Sequence, residues 1–205
     1  MELIQQIREK AKKLNKRIVL PESHDERTLQ AANIAYEERL ATVILIGNKE
    51  KVLSDAERLG LKNIKDIEIV DYDTYQKINE YADLMVELRN HKGLNKGSAL
   101  ELLKNPLYLA VLMIKSGDAD GEVAGAANAT GNVLLPAFQY VKTAPGISVV
   151  SGTFLMFVKD EKFGHKGLLL FADCAVHPDP TAAELAEIAV STGKTARRRC
   201  PGTAE

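Results

Sequence analysis

Short runs of β-branched and aliphatic residues, separated by segments with helical spacing of apolar residues, constrain the fold of this chain more than any other feature. The runs cover residues 17–22, 42–47 and 67–71, and helical patterns cover residues 49–59 and 75–89. Strands that alternate with helices in this way are joined by βαβ crossovers and form a mainly parallel sheet. The sequence therefore predicts an α/β fold in which a doubly wound parallel sheet forms the first domain.

A break in this pattern predicts where the first domain ends. The segment Thr-Ala-Pro-Gly at 143–146 interrupts the chain, and two strand-like runs follow it at 147–158 and 167–176. The polar turn between these runs suggests a hairpin, and a last helix is expected from Thr181 to about Ala196. We therefore expect two domains, a first α/β domain and an incomplete second one, at residues 1–146 and 147–205.

The charge distribution argues against several classes of function. The 27 basic and 28 acidic side chains give a net charge of −1. The chain as a whole therefore has no field that attracts nucleic acid or an anionic membrane. Residues 1–116 carry 37 charged side chains, whereas residues 117–158 carry only four. Such a charge-poor stretch is typical of strands that are buried on both faces and joined by turns of small residues.

Neither the start of the chain nor its cysteines indicate export. The first 17 residues lack the apolar segment of a signal peptide. The longest uncharged stretch, residues 123–141, is interrupted by asparagines and a proline, which argues against a membrane span. The two cysteines, Cys174 and Cys200, are too few to staple a secreted scaffold, and no Cys/His spacing resembles a zinc site. We expect a cytoplasmic protein.

One strand-to-helix connection has residues suited to an anion. A strand predicted at 121–125 is followed by small residues and then by a helix predicted from Asn132 to Lys142. Thr130 and Gly131 open that helix, where free N–H groups favour an anion. One interpretation is a cradle for a phosphate or phosphoester, and the other is a plain turn whose small residues serve packing. The spacing matches neither the P-loop nor the dinucleotide fingerprint, so both interpretations stay open.

Two further groups of polar side chains also allow a functional and a structural interpretation. Arg89, His91 and Lys92 cluster where a predicted helix ends, and cations are favoured there by the helix dipole. The planar guanidinium of Arg89 equally suits bidentate binding of a phosphate. Asp118 and Asp120 invite a metal site, but two carboxylates without further ligands are typical of turns. We therefore predict no bound metal.

Five segments, distributed over nearly the whole chain, carry a more specific signal. They are LPESHDERTLQAA (20–32), ELRNHKGL (87–94), GDADGEVAGAANATGNVLLPAFQYVKTAPG (117–146), SGTFLM (151–156) and GLLLFADCAVHPDP (167–180). In this order they resemble the phosphate acetyltransferase (phosphotransacetylase) family. Phosphate butyryltransferases and the acyltransferase-like C-terminal region of some malic enzymes share parts of the same pattern.

The resemblance implies an acyltransferase that moves an acetyl group reversibly between coenzyme A and inorganic phosphate. It implies two α/β domains flanking a cleft, no redox cofactor, and a homo-oligomer in full-length members. The partners would be small molecules, namely coenzyme A, acetyl phosphate and phosphate, with no nucleic acid and no membrane. Arg89 matches the family arginine that contacts coenzyme A. Asn128, Thr130 and Gly131 fall in the turn that lines the phosphate and acyl end of the substrates.

Two departures from the family pattern affect these expectations. Family members generally carry an arginine before the proline of the third motif, whereas this chain has Leu135 before Pro136. One contact to a coenzyme A phosphate is then lost. Family members also continue well past this chain, through the region that holds their catalytic base. The family-like sequence stops near Ala196, and three arginines follow. We expect a truncated chain with an aberrant tail from about residue 197 and impaired acetyl transfer.

Two other functions remain open from the sequence. A phosphate butyryltransferase would prefer a longer acyl chain, which a comparison of acetyl and butyryl phosphate would reveal. A non-catalytic module of the malic-enzyme type would bind acyl-coenzyme A esters without releasing free thiol.

Overall fold

The computed structural model describes residues 2–199 and divides into two compact units, Met1–Lys142 and Thr143–Glu205. The division lies beside the Thr-Ala-Pro-Gly segment at 143–146. Domain limits at 146 and 147 remain a prediction.

The first unit contains a parallel sheet of four strands in the order β3-β2-β1-β4. Val19 lies opposite Ile44 on one side and Glu122 on the other. The parallel sheet confirms the predicted α/β class. In chain order the elements are α1 (Glu2–Leu14), β1 (Arg17–Leu20), α2 (Glu26–Glu37), β2 (Thr42–Ile46), α3 (Lys49–Arg58), β3 (Glu68–Val70), α4 (Ile78–Arg89), α5 (Lys96–Leu103), α6 (Pro106–Ser116), β4 (Gly121–Glu122) and α7 (Thr130–Tyr140).

Helices cover both faces of this sheet. Successive residues of β1 point to opposite faces, so neighbouring residues of this strand pack against different helices. Val19 packs into a cluster with residues of α4, α5, α6 and α7. Leu20 packs into a second cluster with residues of α2 and α3, including Leu29 and Val52. Two apolar layers on one sheet explain why the strands read as continuous hydrophobic runs rather than as alternating patterns.

The most apolar helix, α6, is a core element. Its residues from Leu107 to Met113 are all buried, and Pro106 and Gly117 mark its two ends. Within residues 2–199, no single helix is long and apolar enough to cross a membrane. Only α5 and α6 taken together would reach that length, and they are bent by 108°.

Several predicted elements of the first unit begin or end elsewhere, and β4, α7 and α4 are the clearest examples. β4 comprises Gly121 and Glu122 alone, because the backbone after it turns toward another segment and Gly125 adopts a φ of 108°. α7 begins at Thr130 rather than Asn132. α4 begins at Ile78 rather than residue 75, since the preceding residues form a turn in which the Tyr75 N–H donates to Asp71 O at 2.9 Å.

The second unit contains the predicted hairpin and one helix. β5 (Phe154–Phe157) and β6 (Leu168–Phe171) pair antiparallel, with Phe154 opposite Phe171. Both strands are shorter than predicted. The helix α8 (Ala182–Arg199) runs past the expected end near Ala196, because arginine is a good helix former. The remainder of the tail, residues 200–205 with Cys200, lies outside the described residues.

We expect residues 147–205 to exchange backbone hydrogens quickly, while residues 1–146 are protected. In the described part of the second unit, only Val149, Leu168 and Ile188 are buried hydrophobic residues. A two-stranded hairpin with so small a core is marginally stable. Exposed phenylalanines on the hairpin should also promote self-association. Hydrogen exchange read by mass spectrometry tests this, and slow exchange throughout 147–176 in a monomeric sample would contradict it.

Candidate functional site

The strand order places a candidate site at the carboxyl ends of β1 and β4. The chain proceeds from β1 to β2 and β3 on one side of the sheet, whereas β4 joins the other side. Ligands of open α/β sheets bind outside the carboxyl ends of the strands at such a switch point. Site residues are therefore expected on the segments that leave the two strands here, residues 21–25 and 123–129.

The carboxylate of Glu22 lies at this switch point and accepts hydrogen bonds from the neighbouring loop. Glu22 is only 2% exposed. Its two oxygens accept from four consecutive backbone N–H groups and from the side-chain amide of Asn128. The donors are Gly125 N at 2.7 Å, Ala126 N at 2.7 Å, Ala127 N at 3.0 Å, Asn128 N at 2.8 Å and Asn128 Nδ2 at 2.8 Å.

In this structure the loop at 125–128 binds an anion that belongs to the chain itself. The N–H groups of residues 125–128 form an anion-binding nest, but the anion they hold is the chain's own carboxylate. Asn128, predicted to bind substrate, uses both its backbone and its side-chain amide on Glu22. Arg27 also connects this loop to the segment after β1, because its guanidinium donates to Ala126 O at 2.5 Å and to Asp25 Oδ2 at 2.7 Å.

Sequence reasoning missed Glu22, although a signal for it exists. Ile18 pairs with Gly121 and Val19 with Glu122. If this parallel register is continued past the strand ends, Glu22 lies beside Gly125. A glutamate placed directly after one buried strand, beside small residues after a neighbouring one, indicates such a contact once the strand order is known.

Two carboxyl groups at the switch point have pKa values displaced in opposite directions. Burial would raise the pKa of Glu22, but the hydrogen bonds from Asn128, Ala127, Ala126 and Gly125 outweigh burial and lower the pKa from 4.5 to about 2. Burial raises the pKa of Glu122 to about 7, and the negative charge of Glu22 adds to that rise. Within residues 2–199, Glu122 Oε1 is buried without a hydrogen-bond partner. Near neutral pH, Glu22 is ionised and Glu122 is partly protonated.

Thr130 and Gly131 occupy the start of α7, as the sequence predicts for an anion-binding turn. Ala129, the residue that precedes the helix, supplies no side-chain cap. Both Thr130 and Gly131 are exposed, and a Cβ built on Gly131 would meet nothing within 4 Å. An uncapped and accessible helix N-terminus favours a negatively charged group. These two residues therefore keep their predicted capacity to bind an anion.

Arg89 lies at the opposite end of α7 from this turn. Its Cζ is 5.7 Å from the centre of the Tyr140 ring, and Tyr140 is the last residue of α7. Tyr140 follows Thr130 by ten positions in the helix, which corresponds to about 15 Å along the axis. The structure thus places the predicted site residues at two positions, one near each end of α7. Leu135, 49% exposed, lies between them on the same helix.

The two acidic residues considered for a metal site, Asp118 and Asp120, form hydrogen bonds within the first unit. Asp118 accepts hydrogen bonds from Lys77, Tyr81 and Ser116. Asp120 accepts from Lys16 and from the Arg17 backbone and side chain. In the part of the chain that the structure describes, no group of three or more His, Cys, Asp or Glu residues is arranged to hold a metal ion.

Comparisons with known proteins give a consistent result along the chain. The family model described as Phosphate acetyl/butaryl transferase matches residues 2–202. The phosphate acetyltransferase of Clostridium acetobutylicum is 45% identical over 200 residues, which cover 98% of this chain and 60% of the relative. That of Thermoanaerobacterium thermosaccharolyticum is 47% identical over 197 residues, covering 96% of this chain and 59% of the relative.

Two solved structures have the same fold. A phosphotransacetylase from Streptococcus pyogenes superposes with a TM-score of 0.89 at 38% identity, covering 97% of this chain and 58% of that one. The EutD phosphotransacetylase from Staphylococcus aureus gives a TM-score of 0.86 at 38% identity, with the same two coverages. The chain thus spans about 60% of the length of these two curated relatives and 26% of longer ones, such as the phosphate acetyltransferase of Escherichia coli.

Proposed function

Because this chain belongs to the phosphate acetyl/butyryl transferase family, we propose that it binds coenzyme A and an acyl phosphate for reversible acetyl transfer between coenzyme A and inorganic phosphate. The observation that carries this proposal is the placement of an uncapped helix N-terminus at one end of α7 and of the Arg89 guanidinium at the other. Coenzyme A has phosphates at its nucleotide end and a thiol at the end of a long arm. An extended ligand of this kind can reach from Arg89 to the turn at Thr130 and Gly131.

The chemistry assigns a different task to each position. The sulfur of coenzyme A attacks the acetyl carbonyl carbon, the bond from carbon to the phosphate oxygen breaks, and phosphate leaves. Arg89, whose guanidinium suits a phosphate oxygen pair, would hold the nucleotide end. The free N–H groups at the start of α7 would hold the phosphate of the acyl donor. The thiol must lose its proton, because the thiolate is the nucleophile. The proposal assigns substrate binding to this chain and no catalytic base.

Replacing Arg89 by alanine should weaken coenzyme A binding about ten- to more than a hundredfold. A hydrogen-bonded contact between guanidinium and phosphate contributes about 1.5–3 kcal/mol. Isothermal titration calorimetry on the 205-residue chain measures the effect. Arg39→Ala is a matched control, because Arg39 is an exposed arginine that follows α2. Equal affinities of the Arg89→Ala variant and the unmodified chain would remove Arg89 from the site and with it the proposal that α7 spans the ligand.

Leu135 offers a change in the opposite direction. It lies exposed between the two positions, where family members generally carry an arginine. In the same titration, Leu135→Arg should tighten coenzyme A binding, because a guanidinium there adds a phosphate contact. Leu135→Gln, which is polar and uncharged, separates the effect of charge from that of removing an exposed leucine. An affinity increase with both variants would show that charge is not the cause.

The acyl chain is the second part of the proposal. The matching family model covers acetyl and butyryl transferases alike, so the comparison of acetyl phosphate with butyryl phosphate decides between them. Consumption of free thiol in the presence of each acyl phosphate measures turnover. We further propose a cytoplasmic location, assembly with further copies of the chain, and only small molecules as substrates.

A further inference from the structure

The guanidinium of Arg89 lies against an aromatic platform that is itself rigidly held. Tyr140 is only 1% exposed, and the Arg89 Cζ is 5.7 Å from its ring centre. The Tyr108 ring meets the Tyr140 ring edge-on, with centres 6.2 Å apart and an interplanar angle of 74°. Edge-to-face packing at this separation is a favourable geometry for two aromatic rings. Tyr140 therefore presents a fixed ring face to Arg89.

Among the described residues, no acidic side chain or hydrogen-bond acceptor pairs with Arg89. Within residues 2–199, its guanidinium has no hydrogen-bond or ion-pair partner, and its contact is the Tyr140 ring. Other arginines of the same unit form ion pairs with carboxylates. Arg58, for example, pairs with both Glu26 and Asp55. A guanidinium that lies on a ring uses its flat face for that contact and keeps its N–H donors free at the edge.

We propose that Tyr140 is a positioning residue that holds the Arg89 guanidinium on its ring, so that the donor edge is ordered before the ligand arrives. This inference rests on the proposed function, in which Arg89 binds a phosphate of coenzyme A. An arginine that binds from a disordered state loses side-chain entropy on binding. The ring of Tyr140 removes part of that cost, since the side chain is already restricted in the free protein.

The Tyr140 hydroxyl has no part in this role. Among the described residues, the hydroxyl oxygen is buried without a hydrogen-bond partner. Burial raises the pKa of Tyr140, so the phenol stays neutral in spite of the nearby guanidinium. The ring of Tyr140 therefore contributes to the binding of coenzyme A through Arg89, and its hydroxyl does not.

Calorimetric titration of the chain with coenzyme A separates these contributions. Tyr140→Leu should raise the dissociation constant about 2- to 10-fold, the range expected from loss of a cation–π contact. Tyr140→Phe should stay within about threefold of the unmodified chain, because phenylalanine keeps the ring face. In the Arg89→Ala background, the Leu substitution should have no further effect. Tyr75→Leu is the control, since Tyr75 makes its ring contact with Tyr81.

A second series keeps the proposal testable even if the leucine variant fails to fold. Phenylalanine with one, two or three ring fluorines at position 140 retains the shape of the ring and progressively weakens its attraction for a cation. Affinity for coenzyme A should fall stepwise with fluorination, and the trend should vanish in the Arg89→Ala background. A flat series, with Arg89→Ala still weakening binding, would overturn the positioning role alone. No effect of Arg89→Ala would overturn the proposed function instead.

Discussion

Replacing Glu22 by glutamine should lower the free energy of unfolding of the first unit by about 3 kcal/mol at pH 7. The fall of the Glu22 pKa from 4.5 to about 2 measures how strongly the native loop prefers the carboxylate, and that displacement corresponds to about 3 kcal/mol. Glutamine offers one oxygen in place of two, and its NH2 group faces backbone N–H donors. Some of those half-buried donors would then lose their acceptor.

Tyrosine fluorescence during urea unfolding is the appropriate measurement, because all six tyrosines lie within residues 36–140 and therefore report on the first unit alone. Glu37→Gln is a matched control, because Glu37 is an exposed glutamate on α2. The pH dependence gives a second check. A lowered folded-state pKa stabilises above 4.5, and that stabilisation is lost as the pH falls toward 2. The difference between the unmodified chain and Glu22→Gln should shrink over this range. Equal stabilities at pH 7 would contradict the prediction.

The fold could be predicted from the sequence because its signals are local. The apolar runs that became β1, β2 and β3 are buried on both faces, so each predicts a strand without knowledge of its partners. The end of strand β4 could not be predicted in this way, because it depends on a distant segment of the chain. Its apolar continuation, residues 123–125, also suits a strand, but Val123 makes the last backbone bond to β1, and from Gly125 onward the backbone N–H groups donate to Glu22. A contact between segments about a hundred residues apart decides the end of that strand.

The candidate site could be predicted only in part, for the same reason. Thr130, Gly131 and Arg89 stay predictions that rest on the family resemblance, on residue type and on their place at helix ends, and the last two are local features. Their separation by the length of α7 depends on the packing of α4 against the end of α7, where Arg89 meets Tyr140 across 51 positions of sequence. Asn128 was assigned to substrate from its position in the loop, but its donors are used by Glu22.

Glu122→Gln should have the opposite effect to Glu22→Gln and stabilise the first unit at alkaline pH. Glu122 has a pKa of about 7 in the folded chain, against 4.5 for an ordinary glutamate. The folded state therefore binds more protons than the unfolded state between pH 4.5 and 7, so stability falls as the pH rises through this window. Glutamine resembles the protonated carboxyl and removes that loss. We expect a gain of about 2–3 kcal/mol at pH 8 and no gain at pH 4.

The negative charge of Glu22 is one cause of the raised pKa of Glu122, so the two substitutions should not be independent. With Glu22→Gln already present, that repulsion is gone and the pKa of Glu122 falls toward its ordinary value. The stabilisation by Glu122→Gln at pH 8 should then be smaller than in the otherwise unmodified chain, although burial keeps part of it. Unfolding of the two single variants and the double variant at pH 4, 6 and 8, followed by tyrosine fluorescence, measures this coupling. Additive effects at pH 8 would show that the two carboxyl groups do not interact, and a gain that is the same at all three pH values would show that Glu122 does not titrate between them.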